Sequence, residues 1–385
     1  MRVIGLMSGT SYDAIDAAAA DLRLDGDRLV LTPLGLLSQP YPSSVRDALE
    51  GSLPPANTSM EQVCRLDTGI GQAFADVARQ AVEQLCGGSA DLIVSHGQTV
   101  FHWVDGGTVR GTLQLGQPAW IAEATGTTVV SDLRARDVAA GGQGAPLVSI
   151  IDVLWLRGRT GVPIALNLGG IANITVVHGE PVAFDTGPAN ALIDAVVTEL
   201  TGRPYDVDGA MAGRGRVHGE LLKRLLDEPY YARSAPKSTG KELFNLACLA
   251  GALEGLSSEV PADDLVATVT LLTARTVAEA VRRYGGTEVV ASGGGIRNPV
   301  LMHMLASELG SVPVRSTDEL GLPSAAKEAY AFAVLGFLTV NGLGGTVPSC
   351  TGARHSSVLG SITPGARGLP VVAGDPRPPV SLRIE

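Results

Sequence analysis

Apolar residues recur along this chain in two rhythms. Short unbroken runs at residues 2 to 7, Leu92 to Val94, Thr127 to Ser131, Pro163 to Leu168 and Glu288 to Ala291 have the length and β-branched content of buried strands. Helices show instead as recurrence at three- and four-residue steps, most clearly from Met60 to Leu85, where Val63, Leu66, Ile70, Phe74, Val77, Ala81 and Leu85 share one face. Thr58 or Ser59, followed by Glu61 and Gln62, suits the start of that helix. Further helices are predicted at about 188 to 201, 215 to 227, 242 to 255 and 262 to 283, and from Pro299 to Glu308 and Ala325 to Val340. Thr239 and Glu242 carry the T-x-x-E pattern that places the start of the 242 helix at Thr239, while Asn298 and Pro299 suit a cap and first helical position.

The turns between these elements are polar and rich in glycine. Ser8 to Asp13 joins the first strand to a returning strand, Ile15 to Leu22. Gly169-Gly170 joins Pro163–Leu168 to Ile171–Val177, and Ser292 to Asn298 leads from a strand into a helix. Glycine allows a backbone to approach a ligand closely and aim its N–H groups at phosphate oxygens. A strand from Pro181 to Phe184 then ends on Asp185, which sets a candidate base beside an anion cradle; taken alone, the stretch reads equally as a type I′ hairpin followed by an Asp-Thr-Gly turn. None of the three turns has the spacing of a Walker loop or of the dinucleotide G-x-G-x-x-G. Two other strand ends deliver polar groups: His96-Gly97-Gln98-Thr99, and Asp132 to Asp137 followed by Gly141 to Pro146, which opens a helix to Arg157.

Length and composition narrow the picture. A chain of 385 residues exceeds what one core supports, so two domains are expected, with a boundary near residue 132. The Gly- and Pro-rich residues after 340 are expected to pack back on the first domain, giving 1–132 plus 345–385 and 133–344. A net charge of -10 without a local Lys and Arg cluster argues against nucleic acid or an anionic membrane as partner. Backbone amides and a metal would then have to hold an anionic ligand. Cys64, Cys86, Cys248 and Cys350 lack zinc spacing and read as thiols of a reducing compartment. With no signal-peptide pattern and no membrane-length apolar run, a cytoplasmic protein is expected.

Taken together, Gly5 to Ser11, His96 to Thr99, Gly141 to Pro146, Asn167 to Asn173, Phe184 to Pro188, Pro236 to Gly240, Gly293 to Pro299 and Glu328 to Ala333 resemble, in order, the motifs of the anhydro-N-acetylmuramic acid kinases. These belong to the sugar kinase, heat-shock ATPase and actin superfamily. The likeness runs from residue 3 to about 360. Two departures stand out: Ala14 replaces the family's glycine after Asp13, and Ala325, Ala326 and Lys327 replace acidic residues before Glu328.

The resemblance implies an α/β protein of two actin-like, ribonuclease H-like domains, with mixed sheets flanked by helices and an ATP cleft between them. It implies that water opens the 1,6-anhydro bridge of the sugar and that O6 takes the γ-phosphoryl of ATP. Asp185 would act as base and also touch the sugar, with Glu328 orienting the water. Gly9, Thr10, Ser11, Asn167, Gly169 and Gly170 would hold phosphates, Gly293, Gly294, Gly295 and Asn298 the adenosine, and Asp13 Mg²⁺ through water. His96, Gln98, Thr99, Arg134 and Gly144 are the sugar candidates. Arg136 competes with Arg134 for a carboxylate, and Asp132 or Asp137 could be either arginine's salt-bridge partner. A homodimer is also implied. An ordinary sugar or polyol kinase and a nucleotide-gated actin-like protein are the alternatives.

Overall fold

The structure is a computed structural model that describes residues 1–385 apart from Thr10, Ser11, Ser257, Val372 and Ala373. The first part of the chain forms β1 (Arg2–Met7), β2 (Ala14–Asp25), β3 (Arg28–Pro40), α1 (Ser43–Glu50), α2 (Met60–Cys86), β4 (Leu92–Ser95), β5 (Gln98–Asp105), β6 (Thr108–Leu115), α3 (Pro118–Thr125), β7 (Val129–Ser131), α4 (Leu133–Ala139) and α5 (Ser149–Leu156). The middle forms β8 (Pro163–Leu168), β9 (Ile171–Val176), β10 (Val182–Pro188), α6 (Asn190–Thr201), α7 (Ala210–Arg214), α8 (Gly219–Leu226), α9 (Leu246–Leu253), α10 (Ala262–Arg283), β11 (Glu288–Ser292), α11 (Pro299–Leu309) and β12 (Val314–Ser316). The chain closes with α12 (Lys327–Val340), α13 (Pro348–Thr351), β13 (Ser361–Thr363) and β14 (Ser381–Ile384).

Two compact units result: Met1–Arg157 with Ala326–Glu385, and Gly158–Ala325. In the first, the strand order is β13-β7-β4-β1-β2-β3-β14. β1, β2 and β3 form an antiparallel meander, and β4 and β7 run parallel to β1 on its other side. Side chains alternate across a strand, so β1 sends Ile4 and Leu6 toward α2, where they join Ala17, Ala19, Ile70 and Phe74 in one buried cluster. Gly5 faces the other way, against α12, where a Cβ would overlap the Ala329 carbonyl. With helices on both faces, β2 can bury the unbroken run Ala17 to Ala20.

The second unit repeats the order as β10-β9-β8-β11-β12, an antiparallel trio followed by two parallel strands. α10 and α11 pack one face of this sheet around Leu166, Ile174, Val277 and Leu305, and α6 to α9 form a second apolar cluster with the N-terminal half of α10. Each unit is thus a mixed sheet flanked by helices, with a glycine turn between its first two strands.

Three expectations need correction. The units divide after Arg157 and before Ala326, not at 132 and 345, because α12 packs on β1, β2 and β4 and α5 on β14. The tail does return to the first unit, through β13 on β7 and β14 on β3. The helix expected over 242 to 255 begins at Leu246, where Asn245 Oδ1 accepts from the amides of Ala247 and Cys248 at 2.9 and 3.1 Å, a better cap than Thr239. β10 does not end before Asp185 but runs through it to Pro188, with a bulge between Asp185 and Gly187.

Candidate active site

In the first unit, the turn after β1 is held from behind by Gln98. Its Nε2 donates to the Gly9 carbonyl at 3.1 Å, and its Oε1 accepts from Ser8 Oγ at 2.8 Å and the Tyr41 hydroxyl at 3.1 Å. Gln98 is 1% exposed, so its amide is consumed within the protein. It braces the turn after β1. A Cβ at Gly9 would meet nothing within 4 Å, so the turn is open there. Tyr12 takes the left-handed backbone at φ 44°, whereas Ala14 begins β2 and needs no glycine. Asp13 is exposed, and Thr10 and Ser11 lie outside the described residues.

The carboxyl ends of β4 and β7 bring His96, Arg134 and Gly144 together. Arg134 Nε donates to His96 Nε2 at 2.8 Å, and Arg134 Nη1 donates to the Gly144 carbonyl at 2.7 Å. His96 Nδ1 lies 2.8 Å from the Gly97 carbonyl. An imidazole that accepts at Nε2 carries its proton at Nδ1, so His96 is neutral. Burial and the Arg134 charge both push its pKa well below 6.5. Phe332 of α12 backs both, with its ring 4.7 Å from His96 and 5.9 Å from the guanidinium carbon. Thr99 is partly exposed, with Oγ1 accepting from Gln114 at 3.1 Å.

Sequence reasoning offered Asp137 as an arginine partner, but the structure gives it another part. Fully buried, it accepts from the Gly144 amide at 2.7 Å and from Thr351 Oγ1 at 2.8 Å, and a Cβ on Gly142 would overlap its carboxylate. It therefore shapes the Gly141 to Pro146 loop that in turn holds Arg134. Asp132 and Arg136 are exposed, and among the described residues neither Arg134 nor Arg136 forms an ion pair with Asp132 or Asp137. Glu328 stands in the first turn of α12, partly exposed. Burial raises its carboxyl, opposed by Arg134 and Lys327 and assisted by Asp16.

In the second unit, the turn between β8 and β9 is stapled by Asn190, a residue sequence reasoning did not assign. Its Nδ2 donates to the Leu168 and Gly169 carbonyls at 3.1 and 2.9 Å, and its own amide donates to Gly169 at 3.1 Å. The Gly293 to Gly295 turn stacks directly on this one. Gly293, at φ 87°, leaves no room for a Cβ, which would lie 2.6 Å from Asn167 Oδ1 and 2.8 Å from the Leu168 carbonyl. Both glycine turns thus form one backbone-lined surface. Asn298 Oδ1 is spent on capping α11, accepting from Val300 and Leu301 at 3.1 Å each.

Asp185 emerges at the bulge in β10, which re-aims its side chain. The loop from Lys237 to Thr239 clamps it: the Thr239 amide donates to Oδ2 at 2.9 Å, the Asp185 amide donates to the Lys237 carbonyl at 3.1 Å, and the Tyr230 hydroxyl donates to the Asp185 carbonyl at 2.8 Å. This is where the Thr239 amide goes instead of opening a helix. Burial raises the Asp185 carboxyl to about 6, the range of a general base at neutral pH. Lys237 donates to the Tyr230 and Tyr231 carbonyls at 3.0 and 3.1 Å, and burial lowers it to about 8.

Among the described residues no group of three or more His, Cys, Asp or Glu side chains is placed to share a metal. A lone exposed Asp13 fits an ion that keeps most of its water and takes phosphate oxygens as its other ligands, which is how magnesium commonly binds.

A strand order repeated in both units, with a glycine turn between the first two strands of each, defines a pair of α/β units built to one plan. The family model described as anhydro-N-acetylmuramic acid kinase matches residues 1–365, and the chain belongs to that family. It is 66% identical over 387 residues to the anhydro-N-acetylmuramic acid kinase of Streptomyces avermitilis and 62% identical over 396 residues to that of Rhodococcus erythropolis, covering 100% of each chain in both pairs. Component A of (R)-2-hydroxyglutaryl-CoA dehydratase from Acidaminococcus fermentans is similar at 12% identity, with 87% of this chain and 96% of that one covered and a TM-score of 0.43.

Proposed function

We propose that this kinase opens the internal C1–O6 bridge of 1,6-anhydro-N-acetylmuramic acid with water and phosphorylates O6 from ATP, giving N-acetylmuramic acid 6-phosphate and ADP, a step of cell-wall sugar recycling. Asp185 takes a proton from water, the water oxygen bonds to C1, and the C1–O6 electron pair goes to O6. That oxygen attacks the γ-phosphorus as the bond to ADP breaks. The observation that carries this reading is the clamp on Asp185, a carboxyl raised to about 6 and fixed by the Thr239 amide, as a base working near pH 7 requires.

Glu328 orients the water. The amides of Gly9, Gly169 and Gly170 face phosphate oxygens, and the Gly293 to Gly295 turn runs under adenosine. Arg134 binds the sugar's lactyl carboxylate with the guanidinium edge not spent on His96 and Gly144. Asp13 would hold Mg²⁺ through water; when bound, that ion neutralises charge on the β- and γ-phosphates. The protein works in the cytoplasm as a homodimer.

ADP release is compared for the anhydro sugar and for N-acetylmuramic acid, whose bridge is already open. Efficient turnover of the anhydro sugar is expected. Preference for the open sugar would favour an ordinary sugar kinase.

A further inference from the structure

α5 is apolar through most of its length, yet it carries a buried Asp152, and α12 begins with an equally buried Lys327. Lys327 Nζ lies 2.6 Å from Asp152 Oδ1, and both side chains are only 5% exposed. Such a pair is a poor stability device, because apolar side chains of similar volume serve as well or better in that setting. Its location suggests another use. The start of α12 has no side-chain cap, since Ala326 stands at the cap position. The ion pair ties this turn to α5, and the close approach of Gly5 to Ala329 fixes the next one.

We propose that the Lys327–Asp152 pair is a positioning element for Glu328, locking the first turn of α12 and setting an ammonium group beside the carboxylate. The charged groups that face Glu328 are Arg134 from α4, Lys327 on its own helix and Asp16 from β2. Burial and Asp16 favour a protonated Glu328; Arg134 and Lys327 favour the carboxylate that can accept a hydrogen bond from water. The inference rests on the assignment of Glu328 to the reaction.

The test is the double variant Lys327→Met/Asp152→Leu, which removes both ions without stranding either. Protein labelled with ¹³C at the glutamate carboxyls is titrated by NMR, with the Glu328 resonance identified by its absence in Glu328→Gln. The double variant is expected to melt close to the parent, while Glu328 titrates at higher pH. Its kcat on the acid side should fall about three- to tenfold, with the alkaline plateau within about twofold of the parent, because each unit of pKa is a factor of ten in ionised fraction. A variant with lowered melting temperature and an unmoved Glu328 titration would make the pair a structural staple and overturn the proposal. Full turnover in Glu328→Gln would overturn the catalytic reading instead, and the NMR titration would still decide whether the pair governs this carboxyl.

Discussion

Arg134 donates its Nε–H to His96 Nε2 at 2.8 Å, so the imidazole serves as an acceptor that aims a guanidinium, not as an acid or base. The unfolded chain protonates His96 below about 6.5, whereas the folded protein resists, so stability is full above that pH and is lost as pH falls. This one residue should contribute a slope of up to about 1.4 kcal/mol per pH unit on the acid side. Denaturant titrations of the parent and His96→Asn at pH 7.5 and 5.5 should show a smaller loss for the variant, and equal losses would contradict the assignment.

Asp185→Asn should lower kcat by about a hundred- to ten-thousand-fold, the usual contribution of a positioned base, with nucleotide affinity little changed. In the parent, kcat should rise with pH through about 6 as Asp185 loses its proton. Stopped-flow nucleotide binding alongside steady-state rates separates the two effects.

Gln98 braces Gly9 and is itself sealed from solvent. Gln98→Ala should therefore raise KM for ATP more than KM for the sugar. A larger effect on the sugar would return Gln98 to the sugar contacts.

Asp137→Ala should cost about 1–3 kcal/mol, since it leaves the buried Gly144 amide and Thr351 hydroxyl without their acceptor. The relaxed loop no longer holds Arg134, so KM for the sugar should rise more than kcat falls. Asp137→Asn, which keeps one acceptor oxygen, should lie between. Thermal melts with both kinetic constants check this.

Local signals made much of the framework legible. β1, β4, β7, β8 and β11 show as apolar runs, α2 and α10 as long periodic stretches, and Asn298-Pro299 as a helix start. β3 and α1 went unassigned because the outer strand of the meander mixes polar and apolar positions and α1 is short. The β5–β6 hairpin escaped because Phe101, Trp103 and Val104 are exposed and follow no alternation. At the candidate site the residue types were readable, but their division of labour was not. Gln98 and His96 share one motif, yet one braces a turn and the other aims Arg134, and only tertiary hydrogen bonds separate those parts. Thr239 had a valid local capping pattern that lost to Asn245, because its amide is taken by Asp185 from another part of the chain.

The most direct measurement runs the reaction with ATP and 1,6-anhydro-N-acetylmuramic acid in ¹⁸O-labelled water and locates the label by fragmentation of the product. The expected product is a 6-phosphorylated sugar carrying ¹⁸O at the C1 hydroxyl, under conditions where C1 does not exchange with solvent. Phosphorylated sugar with unlabelled C1 would contradict it, since water would then take no part in opening the ring.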